Sequence, residues 1–434
     1  MARKFVADRT QAFQFVENGE SRRFVLTFGD EVNTLDAPAP GGPEFRSVEY
    51  RGRVGEWKQP LLSDERPLDM YFLDVGQGDA AFVVTPNDTK ILVDGGLRER
   101  ALGFLIWKYR LDVPANRVKI DHLFLSHADA DHVEGLIPLL KHPQIQVTNI
   151  YHNGIGVFSS GFAEKLGNLS ADKKRLVTLH NKVTDLDGLA LSGTFKKWID
   201  AVKAKGSSYR ALSSADGILD IGDPDITLQI LGPRLDAAGT SLPWFGDPAP
   251  TINGNSLVFR ITYRFARAFF SGDLNLDGSL HLLSFPNVAQ QLNSHIFKAP
   301  HHGSHEYSQG LLNAVNPMVS VISSGSSPDH GHPRAVFLGA LGLAGRGTAP
   351  LVFATEIAAT FVEDGETEAP DSGEPVRFDD LDFSSSEQNS EARRRFKKML
   401  SGIITVRTDG QDIYAFRRVQ ASYQWESYRV AATM

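Results

Sequence analysis

The stretch LFLSHADADHVEGL, residues 123–136, places two histidines and two aspartates within six positions. Carboxylates this close together raise each other's pKa unless a cation lies between them. Imidazole nitrogens and carboxylate oxygens are ligands that Zn, Mn and Fe accept without sulfur. His127, Asp129, Asp131 and His132 therefore predict a metal site directly behind an apolar strand.

A simpler interpretation treats this stretch as a polar loop in which Asp131 caps the helix that carries Val133 and Leu136. A single His or Asp at such a position would favour that interpretation. The whole HADADH cluster behind an apolar strand favours the metal site instead.

Later segments end apolar runs in the same residue types. FFSGDL places Asp273 after one strand, KAPHHGS places His301 and His302 after another, and GHP supplies His332. Each signal is weak alone, because a histidine at a strand end is more often structural and Asp after Gly is common in turns. Their repetition predicts a single site at one edge of a sheet.

The composition fits a soluble globular chain, with 434 residues that are 41% hydrophobic and 22% charged. The lack of cysteine excludes disulfides and thiolate metal sites, and it is compatible with a reducing cytoplasm. The start has no secretory signal, and no apolar run approaches the roughly 20 residues of a membrane span. We therefore expect a cytoplasmic protein without membrane segments.

The first 60 residues predict a small β domain. RRFVLTFGDEV and FRSVEYRGRVGEWK have the character of short strands on either side of the turn-rich APAPGGP. The pattern over residues 22–59 resembles bacterial SH3-like domains, which are small β-barrels that bind partners. The alternative is a β-extension packed on the main domain.

Residues 67–425 predict an α/β domain with two sheets sandwiched by helices. Buried strands such as HLFLS alternate with amphipathic helices such as FKKWIDAVKA. Residues 155–192 predict an insertion near the mouth of the site. The acidic, Ser-rich and Gly-rich residues 363–391 predict a mobile loop, and GIITVRTDGQDIYAFRRV predicts a final hairpin.

A family resemblance covers residues 67–420. It depends on these segments, in this order: FLDVGQGDA, ILVDGG, LSHADADHVEG, NSLVFRI, FSGDL, KAPHHGS, SSGSSPDHGHP and GIITVRTDG. They resemble the metallo-β-lactamase superfamily of hydrolases, and closely the hydrolase domain of DNA-uptake (competence) proteins. The resemblance implies an αββα metallo-β-lactamase sandwich, here preceded by the small SH3-like β-barrel, and two divalent metal ions, Zn or Mn.

The resemblance also implies roles for individual residues. His127, Asp131 and His132 match metal ligands of the first motif, and Asp273 matches the carboxylate that bridges two metals. His302 matches the late ligand histidine, although its neighbour His301 remains an alternative.

Two acidic residues match supporting positions of the same family. Asp94 in VDGG matches the acid that orients the metal loop through hydrogen bonds to the ligands. Asp79 in GQGD lies in the loop beside it.

The chain departs from the broad superfamily at two positions. Asp129 stands where most members have a second histidine, as it does in the competence branch. The mid-chain ligand histidine has no clear counterpart, because Asn255 lies in that region and His152 is the only nearby candidate. Both changes make one metal site richer in oxygen, so that Mn or Mg becomes more competitive with Zn.

The mechanism implied is attack on phosphorus by hydroxide from a metal-bound water. Asp131 is expected to be essential, and His301 or His332 is expected to protonate the leaving oxygen. Lys298 and Ser304, with the SSGSS run at 323–327, are expected to hold non-bridging oxygens, and Asn255 is a further candidate substrate contact.

These observations predict a metal-dependent phosphodiesterase or nuclease whose substrate is a nucleic acid or nucleotide. One alternative is the same fold acting on a lactone, thioester or amide, since fold alone does not fix the substrate. Another is a binding or sensor protein that has lost catalysis. The net charge of −7 gives no global attraction to nucleic acid, and RRRFKK at 393–398 is either a phosphate-tracking face or a solvated helix face. The SH3-like region predicts a protein partner.

Overall fold

The computed structural model describes residues 1–17, 19–39, 41–325, 331–357, 402–419 and 425–432. The predicted mobile loop at 363–391 and the basic stretch at 393–398 lie outside these residues. Across the part of the chain that is described, no helix is both long enough and apolar enough to cross a bilayer.

An antiparallel sheet forms the N-terminal region, where alternating apolar residues predict short strands. Within the described residues its strands are β1 (Ala2–Val6), β2 (Thr10–Glu17), β3 (Glu20–Thr27), β4 (Glu31–Pro38), β5 (Phe45–Tyr50), β6 (Arg53–Lys58) and β7 (Leu62–Ser63). They pair in the order β3-β2-β6-β5-β4-β1-β7. Phe13 and Trp57 meet edge to face in the core of this sheet, with ring centroids 6.5 Å apart. The likeness to an SH3-like barrel stays a prediction.

Two larger sheets form the centre of the molecule. The strands that follow in the chain are β8 (Leu68–Phe72), β9 (Ala81–Val84), β10 (Lys90–Val93), β11 (Val118–Phe124), β12 (Ile145–His152), β13 (Arg175–Leu176), β14 (Ser208–Ala211), β15 (Ile218–Leu219), β16 (Ile226–Gly232), β17 (Leu242–Pro243), β18 (Val258–Tyr263), β19 (Ala266–Phe270), β20 (Ile296–Lys298), β21 (Val319–Ile322), β22 (Leu351–Ala354), β23 (Ile404–Thr408), β24 (Asp412–Arg418) and β25 (Trp425–Ala431). Of these, β13 and β17 pair with each other in a separate two-stranded sheet. In the described chain, one sheet has the order β14-β12-β11-β10-β9-β8-β23-β24-β25 and the other β15-β16-β18-β19-β20-β21-β22.

Helices cover the outer face of each large sheet. In chain order they are α1 (Arg100–Tyr109), α2 (Ala130–Val133), α3 (Leu136–Lys141), α4 (Gly193–Lys205), α5 (Pro248–Gly254), α6 (Leu276–Leu283), α7 (Val288–Leu292), α8 (Gln309–Val315) and α9 (Ala335–Ala344). In α4, Phe195, Trp198, Ile199 and Val202 are buried, as the predicted amphipathic spacing requires.

Strand alternation sends neighbouring side chains to opposite faces and so builds the layers of the core. Phe270 packs between the two large sheets, where its ring lies 6.0 Å from that of Phe72. Its neighbour Phe269 faces the helices on the other side. Phe104 of α1 and Trp198 of α4 fill the layer outside the first sheet. The order helix, sheet, sheet, helix confirms the predicted αββα sandwich.

The strand directions determine where the loops meet. β10, β11 and β12 run parallel in the first sheet, and β19, β20 and β21 run parallel in the second. Because the carboxyl ends of parallel strands share one edge of a sheet, side chains just after these strands lie along one rim.

Two further segments were predicted from the sequence. Residues 155–192, the predicted insertion, contain β13 and a short 3-10 helix at Val183–Leu186. β23 and β24 form a hairpin at the C-terminal end of the domain, and β23 pairs with β8 and so extends the first large sheet.

Arg407 on β23 links this sheet to the N-terminal sheet. Its guanidinium donates to Asp69 at 2.9 Å, to Asp30 at 3.0 Å and to the Phe28 carbonyl at 2.7 Å. We expect Arg407→Met to lower the free energy of unfolding by about 3–5 kcal/mol, because it leaves buried carboxylates without a cation. Urea denaturation of the metal-free protein measures this change.

The matched control is Arg429→Met. Arg429 pairs with Asp412 at 2.6 Å, but its side chain is 58% exposed and solvent screens the pair, so that we expect almost no change in the free energy of unfolding. Equal losses of stability for the two variants would contradict a structural role for the buried contacts of Arg407.

Candidate metal centre

Loops that follow buried strands bring the candidate ligands together at the rim. Asp94 follows β10, the HADADH loop follows β11, Asp273 follows β19, and His302 follows β20. Asp94 and His302 have positive φ angles of 56° and 51°. Left-handed backbone is uncommon outside glycine and is often found at functional sites, where it aims a side chain that a relaxed loop would turn away.

Four side chains form a compact cluster. Asp131, His132, Asp273 and His302 each place a potential ligand atom so that all four atoms lie within 4.8 Å of one another. Asp273 Oδ2 lies 3.2 Å from His132 Nε2 and 3.0 Å from His302 Nε2. Asp131 Oδ2 lies 3.2 Å from His302 Nε2.

Hydrogen bonds orient both histidines of this cluster. His132 Nδ1 lies 3.0 Å from Asp94 Oδ2, and the other oxygen of Asp94 accepts from the Ser126 backbone N–H at 2.7 Å. His302 Nδ1 lies 3.0 Å from the Ser323 carbonyl, an acceptor, and therefore carries the proton. Both rings thus present Nε2 to the centre, which is the arrangement that metal-ligating histidines need.

The cluster fits a divalent cation. In the described chain, His127 Nε2 and Asp273 Oδ1 are buried without a hydrogen-bond partner, and the Nε2 atoms of His132 and His302 face carboxylate oxygens. Burying polar atoms without partners is costly, and a bound cation would remove that cost. Their nitrogen and oxygen donor set is one that Zn and Mn accept.

The pKa values of the cluster reflect its need for positive charge. Burial alone would lower the pKa of His302, yet the carboxylates of Asp273 and Asp131 raise it to about 9. His132 behaves in the same way, because Asp273, Asp131 and Asp94 outweigh burial and raise its pKa well above the usual value. Burial favours the protonated forms of Asp131 and Asp273, but the two histidines lower both carboxyl pKa values. Without a metal ion, protons on the imidazoles balance the carboxylates.

His127 and Asp129 lie beside the four-residue cluster. His127 Nε2 is 3.6 Å from Asp129 Oδ2, and the His127 ring centroid is 4.1 Å from that of His132. The Asp129 side chain is 41% exposed at the start of α2, so this side of the centre is the more open one.

Lys298 lies inside the protein, beneath the cluster. Its ammonium donates to Asp79 Oδ2 and to the Gly272 carbonyl at 3.0 Å, and it lies 3.8 Å from Asp273 Oδ1. Burial lowers the pKa of Lys298 well below its ordinary value. The structure places the Lys298 amine against Asp79 and Asp273, and its role as a substrate contact stays a prediction.

Close packing holds the loop that carries Asp79. A Cβ at Gly78 would lie 2.1 Å from the Asp131 carbonyl oxygen, and the φ of this glycine is +119°. Only glycine fits there, which explains the second Gly of the GQGD segment.

His301 and His332 form a second ring pair next to the cluster. Their centroids are 6.1 Å apart, and the His332 ring lies 6.3 Å from that of His302. His301 Nδ1 is buried without a hydrogen-bond partner in the described chain, and His332 Nδ1 lies 3.5 Å from Gln77 Nε2. Both remain candidate proton donors.

The remaining candidates make structural contacts. Both amide donors of Asn255 bond backbone carbonyls, of Pro243 at 3.0 Å and of Thr251 at 2.8 Å, at the end of α5. The Ser304 hydroxyl accepts from the Glu306 N–H at 3.2 Å. His152 stacks on Tyr209 at 4.1 Å and belongs to neither group of potential metal ligands found in the described chain. Of the SSGSS run, residues 326 and 327 lie outside the described residues.

Comparisons with known proteins point to one family of metallo-hydrolases. Residues 73–317 match the family model of the metallo-beta-lactamase superfamily. ComE operon protein 3 of Bacillus subtilis (strain 168) is 26% identical over 290 residues, which cover 63% of this chain and 30% of that protein. The chain thus spans less than a third of this relative's length.

Solved structures of metallo-hydrolases are more distant. Igni18, a metallo hydrolase from Ignicoccus hospitalis KIN4/I, is 11% identical, with a TM-score of 0.34 and coverage of 67% of this chain and 97% of that one. A metallo-beta-lactamase from Staphylococcus aureus subsp. aureus COL is 13% identical, with a TM-score of 0.27 and coverage of 53% and 52%. The family assignment depends on the match over residues 73–317, because TM-scores this low add no support.

Metal binding should release protons at pH 7. His302, whose pKa is about 9, and His132, whose pKa is also raised, are protonated in the metal-free protein, whereas a ligand imidazole must be neutral. Affinity should therefore rise from pH 6 to pH 9. Calorimetric titration of Mn or Zn in buffers of different ionisation enthalpy measures the protons released. The absence of proton release would mean that these imidazoles are not ligands.

Asp94→Asn tests the orienting contact to His132. The amide keeps the shape but loses the charge that supports the ring, and we expect metal affinity to fall roughly 10-fold to 100-fold. Competition against a chromophoric chelator measures this. Asp277→Asn, on the exposed first turn of α6, is the control. A variant Asp94→Asn that binds metal like the control would exclude the orienting role.

Proposed function

Because this chain belongs to the metallo-beta-lactamase superfamily of metallo-hydrolases, we propose that it is a phosphodiesterase or nuclease that uses two divalent ions. The observation that carries the proposal is the convergence of Asp131, His132, Asp273 and His302 within 4.8 Å. The resemblance of its ordered motifs to hydrolase domains of DNA-uptake proteins supports a phosphodiester substrate.

The proposed division of ligands follows the geometry of the centre. Asp131, His132 and His302 would hold one ion, and His127 with Asp129 would hold the other. Asp273 faces the ligands of the first ion through Oδ2, and it would bridge the two ions as the family resemblance implies. The proposed ligands of the second ion include the carboxylates of Asp129 and Asp273, and this oxygen content favours Mn there.

The bound ions would supply a hydroxide near neutral pH and neutralise charge on the phosphoryl oxygens. The protein's own residues prepare that chemistry. Asp94 and the Ser323 carbonyl fix the two ligand rings, and Lys298 balances the inner oxygen of Asp273. None of these groups needs to move during the reaction, so that the centre is pre-organised.

Departure of the leaving oxygen needs a proton, and His301 and His332 are placed to supply it. If the Gln77 amide donates to His332 Nδ1, the neutral ring carries its proton on Nε2. Burial lowers the pKa of His301, so this ring is neutral near pH 7 and holds one proton as well. Either ring can therefore act as the general acid.

Ligand removal tests the proposed activity. We expect Asp131→Ala and His302→Gln to abolish hydrolysis of bis-p-nitrophenyl phosphate and of single- or double-stranded DNA with Mn or Zn added, because each removes a ligand from the four-residue cluster. Asp277→Ala, on an exposed turn, should keep full activity. Cyclic nucleotides and nitrocefin complete the substrate panel, and turnover of nitrocefin alone would contradict the phosphodiester proposal.

The proton donor is identified by comparing leaving groups. His301→Gln and His332→Gln should keep the metal content, while the variant that lacks the general acid loses roughly 100-fold or more in kcat on DNA. The loss on bis-p-nitrophenyl phosphate should be much smaller, because nitrophenolate leaves without a proton. Equal losses on both substrates for both variants would exclude proton donation by these histidines.

A further inference from the structure

A cavity lies between the N-terminal sheet, α1 and β23, and it shares no lining residue with the metal centre. We propose that this cavity binds a nucleotide, meaning a ligand with a planar ring and an anionic group. Its volume of about 940 Å³ is within the range of small-molecule sites. The inference goes beyond the proposed hydrolysis and does not depend on it.

Arg51 supplies the positive charge for an anion. Its guanidinium lies 4.0 Å from the centroid of the Trp107 ring and donates to the Trp107 carbonyl. The Nε atom of Arg51 is buried and has no hydrogen-bond partner in the described chain. A buried donor of this kind is costly unless a ligand satisfies it.

Lys108 adds a second cation at the base of the cavity. Its ammonium donates to the Tyr71 hydroxyl at 2.7 Å and lies 3.9 Å from Asp69. Burial lowers the pKa of Lys108 to about 8, so that it still carries its charge at pH 7. Because an ammonium has three N–H donors, Lys108 can hold Tyr71 and an anionic ligand at once.

Most acidic residues of the walls already have cationic partners, and Glu49 accepts from the Asn33 amide and the Gly52 N–H instead. Asp30 and Asp69 bond Arg407, and Glu31 and Asp88 lie 2.6 and 3.2 Å from Arg66. Their charges are therefore neutralised inside the walls. Arg51, in contrast, forms no ion pair within the described residues, although the charges of Asp30 and Asp112 act on it from a distance, so that its guanidinium can still pair with a ligand.

The aromatic part of the lining fits the ring of a nucleotide. Phe24, Tyr50, Trp107 and Trp425 all line the cavity. Any of the nucleic-acid bases can stack on such rings. Because Trp107 contacts the Arg51 guanidinium, this stacking surface lies next to a positive charge.

The test uses the full chain after treatment with EDTA, so that the metal centre can neither turn over nor capture phosphate through a metal ion. AMP and GMP are titrated, with adenosine and inorganic phosphate as partial ligands, by calorimetry and tryptophan fluorescence. We expect each nucleotide to bind more tightly than either partial ligand and to quench fluorescence from Trp107. Arg51→Met and Lys108→Met should each weaken binding at least about tenfold, the loss of one charged hydrogen bond.

Arg117→Met is the control, because this exposed arginine donates to the carbonyls of Pro114 and Asn116 and does not line the cavity. Trp107→Phe should remove most of the quenching while binding persists, and circular dichroism verifies that every variant is folded.

Absence of binding at millimolar nucleotide, or unchanged affinity in both Arg51→Met and Lys108→Met, would overturn the proposal. Tighter binding of a thymidine oligonucleotide than of AMP would also overturn it, in favour of a single strand. Because binding is measured without metal, a failed hydrolysis assay leaves this result unaffected.

Discussion

Charge balance at the rim of the two large sheets is the constraint on which this molecule depends. Asp79, Asp94, Asp131 and Asp273 come together where little water reaches them, and carboxylates in that setting need positive charge nearby. The amine of Lys298 approaches Asp79 and Asp273 from inside, and the imidazoles of His132 and His302 carry exchangeable positive charge. A divalent ion can replace the two imidazole protons, so the centre is chemically prepared for metal.

The rest of the fold keeps these groups in place. Parallel strands deliver several loops to the same rim, and apolar layers on both sides of each sheet hold the strands rigid. The left-handed conformations of Asp94 and His302 then turn single side chains inward. The N-terminal sheet is tied to this scaffold through Arg407, and the cavity beside that contact joins the two parts of the chain.

Much of the centre was predictable because its ligands follow apolar strands directly in the sequence. The HADADH loop, Asp273 and the paired histidines each carry that local signal, and the αββα layers follow from the alternation of strands and helices. Lys298 shows where such reasoning ends. Its partner Asp79 is 219 positions away, so that only the folded chain reveals this buried contact.

Other features leave no sequence signal at all. The group that orients His302 is the backbone carbonyl of Ser323, which any residue at that position would offer. Asn255 is a candidate substrate contact in the sequence, yet both donors of its amide bond the backbone carbonyls of Pro243 and Thr251. The nucleotide-sized cavity exists only because two sheets and α1 pack together.

Anomalous diffraction from crystals grown with Mn tests the central claim most directly. The strongest anomalous peak should lie among Asp131, His132, Asp273 and His302, with a second, weaker peak beside His127 and Asp129. A map without a peak at the four-residue cluster, from crystals that hold Mn elsewhere, would contradict the claim that these buried charges exist to bind a divalent ion.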